Sequence, residues 1–358
     1  MSEADPTQGN VAVVGFAQSP CVRATQATTN GVEMLVPILA EAFERTGMSK
    51  SDIGFWCSGS SDYLAGRAFS FISAVDALGA FPPINESHVE MDAAWALYEA
   101  WVKIRTGEVS TALVYGFGKS SAGQLRRVLS LQLDPYVMAP LWPDSISIAA
   151  LQARLGLESG RWSEKDMAEV AARSLANATS NPHAQRSGHY DVADLLDEPF
   201  VADPLRAHDI APITDGAAVL ILAAEDRARE IVERPAVITG IEHRVDSPVL
   251  GARDLTRSPS TEAAGHAADA TGIEVAELHA PFTHQELILR DALGLDEAVR
   301  ISPSGGVLAG NPMFAAGLAR IGEAAQRILT GEASKVLAHA TNGPLLQQNL
   351  VAVMEGTR

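Results

Sequence analysis

The sequence predicts an α/β fold made of two related halves, and two observations support this prediction. A ten-residue segment recurs without a gap and with six identities: residues 104–113 read IRTGEVSTAL and residues 328–337 read ILTGEASKVL. A repeat of this kind indicates internal duplication. Short apolar segments also alternate with amphipathic helical patterns along the chain, which is typical of a mixed, mostly parallel sheet covered by helices.

The first predicted half comprises residues 1–232. Apolar runs that end at glycine favour buried strands, and apolar positions three or four residues apart favour helices. One helical stripe runs from Ala93 to Ile104, and Gly107 ends that helix. The predicted elements are strand Val11–Gly15, helix Gly31–Thr46, strand Ile53–Cys57, helix Ala93–Gly107, strand Thr111–Phe117, strand Thr214–Leu222 and helix Ala224–Val232.

Between residues 119 and 207 the pattern loosens. This stretch contains six prolines and one amphipathic segment, at 164–178. Such a stretch predicts an insertion that carries binding loops.

The second predicted half comprises residues 233–358, and it begins at Arg234-Pro235, a turn-forming pair between a helix and a strand. It repeats the alternation of strands and helices. The predicted elements are strand Ala236–Ile241, a strand ending at Leu278-His279, helix Gln285–Leu293, helix Met313–Leu329 and strand Lys335–Ala340.

Composition limits the classes of function. The 358 residues are 47% hydrophobic and 20% charged, as expected of a globular protein, and the formal net charge is −17. This charge argues against nucleic acid as a partner, because phosphate binding needs a basic surface. Two cysteines without metal-ligand spacing predict no metal site. The polar start, Met1 to Asn10, and the lack of an 18-residue apolar run predict a cytoplasmic protein without a membrane span.

Four sequence blocks resemble one known superfamily. Their sequences are ELHAPF at 277–282, with QEL at 285–287 and ALG at 292–294; SPSGG at 302–306, with GNP at 310–312; TDGAA at 214–218; and SNPHAQ at 180–185. In order and spacing they resemble the thiolase superfamily, in particular its sterol-carrier-protein-x and bacterial lipid-transfer branch. The resemblance implies a duplicated α-β-α-β-α layered fold with mixed sheets, an inserted loop domain and an acyl-CoA substrate.

The departures from the family pattern concern catalysis. Thiolases carry a nucleophilic cysteine at the start of the helix that ends at the glycine turn, where the helix dipole favours the thiolate. Alignment without gaps from Gly107 places Glu90 at that position, and a shift of two or three residues places Asp92 or Ala93 there. The family's G-H-P histidine is Asn311, and the second cysteine is Pro281. Of the catalytic set, His279 remains.

The remaining groups suit a reaction that needs no thiolate. In a retro-aldol cleavage of a β-hydroxyacyl-CoA, a base removes the hydroxyl proton and fixed donors hold the thioester oxygen. We expect Glu90 to be the base, with its pKa raised by burial between the halves, and Asp92 to be the alternative base. We expect Asn311 and His279 to hold the thioester oxygen.

Interpretations without a catalytic role stay open for these residues. Glu90 and Asp92 could serve as helix caps and nothing more, and Asn311 could serve only to form a turn. The substrate-binding candidates are Gly306, Asn342 and His284, of which Gly306 could be structural and His284 could lie on the surface.

Three functions follow from the resemblance. The first is an aldol-lyase in sterol or lipid side-chain degradation, the second is an acyltransferase of thiolase type, and the third is a non-catalytic subunit of a hetero-oligomer. No cofactor is expected beyond coenzyme A as part of the substrate. The resemblance also implies a homodimer, or a heteromer with a small partner that contains a zinc ribbon and an oligonucleotide-binding-type barrel.

Overall fold

The computed structural model describes residues 9–26, 30–62 and 70–356. Most of the polar start, residues 1–8, lies outside the described residues. The strands, in chain order, are β1 (Val11–Gln18), β2 (Phe55–Gly59), β3 (Glu86–Val89), β4 (Thr111–Lys119), β5 (Phe200–Ala202), β6 (Leu205–Arg206), β7 (Ile213–Ala224), β8 (Ala236–Val245), β9 (Val275–Glu277), β10 (Arg300–Ile301), β11 (Asn311–Pro312), β12 (Lys335–Asn342) and β13 (Gln348–Gly356). The helices are α1 (Gly31–Thr46), α2 (Ser70–Leu78), α3 (Ala93–Arg105), α4 (Leu125–Leu131), α5 (Ser145–Glu158), α6 (Glu164–Asn177), α7 (Val192–Asp197), α8 (Glu225–Ile231), α9 (Pro259–Ala267), α10 (Thr283–Ala292), α11 (Gly306–Ala309) and α12 (Ala316–Leu329).

The strand order reveals the duplication. The main sheet runs β10-β9-β12-β13-β8-β1-β7-β4-β2-β3, and β11 pairs with β7. Read outward from the β1–β8 pair, β7, β4, β2 and β3 on one side correspond to β13, β12, β9 and β10 on the other. The central pairs are antiparallel, and the outer pairs are parallel at both ends. The predicted mixed sheet is therefore confirmed, and the sequence repeat falls where α3 leads to β4 and α12 leads to β12.

Three clusters of buried side chains arrange the helices and sheet into layers. The central cluster joins α3 and α12 to strands of both halves. A second cluster packs α1 against the other face of β1, β4 and β7. A third packs α9 and α10 against the other face of β9, β12 and β13. This is the predicted α-β-α-β-α order, with α3 and α12 in the middle layer.

Local sequence fixes the helix that covers the first half. The Asn30 side chain accepts hydrogen bonds from the Val32 and Glu33 backbone N–H groups, and the Glu33 carboxylate accepts one from the Asn30 backbone N–H. This capping box sets the start of α1, and Gly47 ends the helix at a φ of +66°. The predicted bounds of this helix are confirmed.

The stretch between β4 and β7 is more ordered than its loose pattern suggests. It contains α4 to α7 and the β5–β6 pair. Ala149 and Ala153 of α5 pack into the same cluster as α9 and α10. The insertion is therefore anchored on the second half, although the chain enters and leaves it in the first half. The proposed boundary between residues 232 and 233 stays a prediction.

Candidate active site

A cavity of about 990 Å³ lies where the two halves and the insertion meet. Its walls come from the β3–α3 connection, the segments that follow β9 and β12, the segment between β11 and α12, and helices α4 and α5. Of the seven predicted site residues, five line this cavity: Glu90, Asp92, His279, Asn311 and Asn342.

Glu90 follows β3 and faces the cavity as a half-exposed carboxylate. Its side chain is 51% exposed, so the expectation that Glu90 is buried between the halves is wrong. The Asp62 backbone N–H donates to its Oε1 atom over 2.9 Å. The second oxygen, Oε2, lies 3.6 Å from His88 Nε2. Glu90 is thus held at one oxygen and open to a ligand.

Asp92 is buried and joins the two central helices. Its carboxylate caps α3 by accepting from the Ala94 N–H at 2.9 Å. It also accepts from the N–H groups of Gly317 and Leu318 at the start of α12, at 2.9 and 3.1 Å. A Cβ atom on Gly317 would lie 2.5 Å from Asp92 Oδ1, so glycine is needed for this approach.

The environment of Asp92 acts on its pKa in two directions. Burial raises the pKa, and the three backbone N–H donors oppose that effect. The geometry explains Asp92 as a cap shared by both halves, because three donors already bind its two oxygens.

His279 lies just after β9 and is 6% exposed. The Thr341 N–H donates to its Nδ1 atom over 3.4 Å. Burial, together with the nearby His339 and the positive charge of Arg320, lowers the pKa of His279 to about 3. The imidazole is therefore neutral near pH 7, and with Nδ1 as acceptor its hydrogen resides on Nε2. His279 is suited to donate a hydrogen bond rather than to take up a proton.

Two carboxamides complete the polar wall of the cavity. Asn311 belongs to β11, which pairs with Ile213 and Thr214 of β7. Asn342 ends β12. Among the described residues, Asn311 Oδ1 and Asn342 Nδ2 are buried and have no hydrogen-bond partner. Buried polar atoms are normally paired, so these two atoms mark positions where a ligand would supply the partner.

Gly306 and His284 were expected to bind substrate, but they lie behind the cavity wall. Gly306 starts α11 at a φ of +60°, and a Cβ atom there would meet Ser302 at 3.2 Å. His284 is fully buried instead of on the surface, and its Nε2 atom lies 3.1 Å from Gln152 Oε1. Gln152 also accepts from Gln285, which does line the cavity. Gly306 therefore shapes a turn, and His284 supports a neighbour of the site.

Both thiols lie outside the cavity wall. Cys57 is in β2 with no exposed surface, and burial raises its pKa to about 12. Cys21 packs beside Gly310, where a Cβ atom would approach its Sγ atom to 2.9 Å. Burial raises the pKa of Cys21 to about 11. Both groups are protonated near pH 7, so neither is an activated nucleophile.

A buried ion pair joins the segments that carry two of the motif blocks. Glu277 accepts from Arg320 Nη1 at 2.8 Å and from the Ser304 N–H at 2.9 Å. These bonds tie β9, the 302–306 turn and α12 together directly beneath His279. The motif pattern identified Glu277 and Ser304, but no sequence signal identified Arg320 as their partner.

Three arginines line the cavity: Arg23, Arg126 and Arg186. The Arg186 backbone N–H donates to Ala309, and the preceding Gln185 N–H does the same, so the SNPHAQ block places this arginine. The sequence alone offers Arg126, Arg127 and Arg186 as possible phosphate contacts, and of these three Arg127 lies outside the wall. Arg23 was missed, because nothing distinguishes it from a surface arginine in sequence.

The described residues contain no group of histidine, cysteine and carboxylate side chains with the geometry of a metal site. Within the same ranges, every helix is too short or too polar to cross a lipid bilayer.

Comparisons with known proteins agree with the fold. No family model matches the sequence. An acetyl-CoA acetyltransferase of Methanothermobacter thermautotrophicus is 30% identical over 214 residues, 53% of this chain and 56% of that protein. The benzoylsuccinyl-CoA thiolase subunit BbsB of Thauera aromatica is 28% identical over 189 residues, 46% of this chain and 49% of that protein. Sterol carrier protein 2 of Gallus gallus is 24% identical over 290 residues, 69% of this chain and 52% of that protein. The chain thus spans about half the length of these curated relatives.

Solved structures give the same fold. The Ltp2-ChsH2(DUF35) aldolase superimposes with a TM-score of 0.79 at 17% identity, covering 97% of this chain and 98% of that chain. The Bacillus anthracis acetyl-CoA acetyltransferase gives 0.79 at 18% identity, covering 99% and 100%. The protein has the thiolase fold, and its homologues are thiolases and sterol carrier protein 2.

Proposed function

We propose that this protein cleaves the carbon–carbon bond of a β-hydroxyacyl-CoA by a retro-aldol reaction. The observation that carries the proposal is the set of polar side chains that line one cavity. It holds an accessible carboxylate, a neutral histidine and two carboxamides, while both thiols of the chain are protonated and lie elsewhere. A thiolase mechanism needs a thiolate nucleophile, and a retro-aldol mechanism does not.

In the proposed reaction, Glu90 takes the proton of the β-hydroxyl group. The β-carbon becomes a carbonyl as the bond between the α- and β-carbons breaks, and the electron pair forms the enolate of the shortened thioester. His279 Nε2–H and the Asn311 amide donate to the enolate oxygen. The protonated Glu90 then returns the proton to the α-carbon, which gives a ketone or aldehyde and a shorter acyl-CoA.

The cavity suits the two ends of such a substrate. Arg23, Arg126 and Arg186 offer positive charge for the coenzyme A phosphates. Apolar side chains of the insertion, including Leu125, Leu129, Ile146 and Ile148, offer a surface for the acyl group. The names sterol carrier protein 2 and Ltp2-ChsH2(DUF35) aldolase, which belong to relatives of this chain, support steroid-type thioesters as the first substrates to assay.

Acyl transfer is the second candidate function, because several relatives are named acetyltransferases or thiolases. Separate incubations distinguish the two reactions. The protein is incubated with a β-hydroxyacyl-CoA in one assay, and with a β-ketoacyl-CoA plus free coenzyme A in the other. We expect a ketone or aldehyde product in the first assay and no thiolysis in the second. Thiolysis without cleavage of the hydroxy substrate contradicts the proposal.

We also propose that the protein works as a dimer or within a hetero-oligomer. The printed names of two relatives, an Ltp2-ChsH2(DUF35) assembly and a thiolase subunit, support a second chain. The two incubations are therefore run with this chain alone and with its co-purified partners. Silence of both reactions with this chain alone, followed by activity in the presence of the partners, favours the third possibility, a non-catalytic subunit, or a lyase that depends on the complex.

A further inference from the structure

A histidine outside the cavity faces the carboxylate that we propose as the base. His88 lies in β3, directly opposite Ser58 of β2. Its Nδ1 atom is 3.0 Å from the Ser58 hydroxyl, and its Nε2 atom is 3.6 Å from Glu90 Oε2. The Phe71 ring stacks on the imidazole with centroids 5.0 Å apart. These contacts fix the plane of the ring and direct one nitrogen at Glu90.

The fold keeps His88 away from substrate. Its cross-strand neighbour Ser58 is paired in turn with Tyr115 of β4, whose side chain belongs to the outer cluster under α1. Paired residues on adjacent strands share one face of a sheet, so His88 points to the outer layer and not to the cavity. Any effect of His88 on the reaction must pass through Glu90.

We propose that His88 is a positioning residue, whose Nε2–H holds the Glu90 carboxylate in the orientation that receives the substrate proton. This inference rests on the proposed function. His88 Nε2 is buried and lacks a hydrogen-bond partner among the described residues, and the Glu90 carboxylate lies 3.6 Å from it. With the Asp62 N–H on the other oxygen, each oxygen of the carboxylate then has one donor.

The contact with Ser58 fits the required tautomer. When the Ser58 hydroxyl donates to His88 Nδ1, Nδ1 is an acceptor and the ring hydrogen lies on Nε2. At 3.6 Å the contact exceeds the usual hydrogen-bond length of about 2.7–3.2 Å, so the proposed role requires a rotation of the half-exposed Glu90 side chain that brings Oε2 closer to Nε2.

A double-mutant cycle on the full chain tests this role, with kcat and KM for a β-hydroxyacyl-CoA as the readout. In H88Q the amide nitrogen takes the place of Nε2, whereas H88L lacks a donor. We expect H88Q to stay within about threefold of wild type, and H88L to lose roughly 10- to 100-fold in kcat at unchanged KM. In the E90Q background, H88L should cause no further loss, because the two residues act as one unit.

Equal losses in H88Q and H88L, independent losses in the double variant, or an unchanged kcat in H88L would overturn the inference. Thermal unfolding of each variant reports its folding, and His88→Asn, which keeps a group near Nδ1 only, replaces H88L if that variant does not fold. A wild-type protein without turnover contradicts the proposed function, and this inference with it. An active wild type without coupling between His88 and Glu90 contradicts this inference alone.

Discussion

The starts of the two central helices, α3 and α12, occupy corresponding places in the two halves but carry different chemistry. The approach to α3 brings two carboxylates, Glu90 and Asp92. The approach to α12 brings the carboxamide of Asn311, and Ala315 at its N-cap supplies no side-chain cap. Instead, the carboxylate of Asp92, from the first half, accepts hydrogen bonds from the backbone N–H groups of Gly317 and Leu318 in the first turn of α12. The two halves therefore contribute different groups to the cavity: the first half contributes acidic side chains, and the second half contributes neutral hydrogen-bond donors.

The largest effect should follow loss of the first half's accessible carboxylate. Glu90→Gln keeps the size and removes the base, so we expect kcat for a β-hydroxyacyl-CoA to fall by about 10²–10⁴. The matched control is Glu158→Gln, an exposed glutamate at the end of α5, which should leave kcat unchanged. Steady-state kinetics measures both variants, and full activity of E90Q would remove Glu90 from the mechanism.

The second half's neutral donor should come next. His279→Ala removes one hydrogen bond to the enolate oxygen and should lower kcat by about 10²–10³. His266→Ala, at an exposed position in α9, is the control. Because the pKa of His279 is about 3, the imidazole stays neutral across pH 5–8, and the pH profile of the wild type should not contain its titration. A profile whose acidic limb near pH 6 disappears in H279A would show that His279 transfers protons.

The shared cap should matter for stability more than for proton transfer. Asp92→Ala leaves three N–H groups of two helices without their acceptor, which should lower the free energy of unfolding by roughly 3 kcal/mol. Ser163→Ala removes an ordinary cap from α6, where the Ser163 hydroxyl accepts from the Asp166 N–H, and should cost about 1 kcal/mol. Denaturant unfolding compares the two variants. Equal costs would mean that Asp92 does not bridge the halves.

The smallest predicted effect is the loss of stability on mild acidification. Burial lowers the pKa of His279 and His284 to about 3 and of His339 to about 4, each from 6.5. The unfolded chain therefore binds more protons than the folded one between these values. Stability is full above pH 6.5 and declines as the pH falls, by roughly 2 kcal/mol from pH 7 to pH 6 for the three groups together. Unfolding at both pH values measures it.

Variants at two histidines sharpen that measurement. His284→Asn should remove about one third of the pH dependence, because it removes one of the three buried groups. His266→Asn, at its exposed site, should leave the pH dependence as it is. Stability that rises toward pH 6 would contradict the assignment of buried, neutral histidines.

Much of the fold was readable in the sequence because its signals are local. The capping residues of α1 and the repeated helix–turn–strand unit fix elements within a few residues of one another. The pairing of the central strands was not readable, because fully buried strands such as β1 and β7 are apolar on both faces and show no alternation. Strand β13 and helix α9 were also missed. Pro259 is a start signal for α9, but the helix segment PSTEAAGHA has too few large apolar residues to show a helical stripe.

The candidate site was readable where motif residues face the cavity, as His279 and Asn342 do. The predictions for the site were wrong where they depended on burial, because residue spacing in the sequence does not show how deeply a side chain is buried. Glu90 was expected to be buried and is half exposed, and His284 was expected near the surface or the substrate and is in the core. Partners supplied from distant segments, such as Arg320 for Glu277 and Gln152 for His284, depend on tertiary packing and leave no local pattern.

A cysteine-free variant gives the most direct test of the whole account. Cys21→Ser combined with Cys57→Ala removes every thiol from the chain. Turnover of a β-hydroxyacyl-CoA to a carbonyl product and a shortened acyl-CoA is then compared with that of the wild type. The account predicts the same kcat within about twofold, because both thiols are protonated near pH 7. Loss of turnover in a folded variant, or an acyl-cysteine detected by mass spectrometry in the wild type, would contradict it.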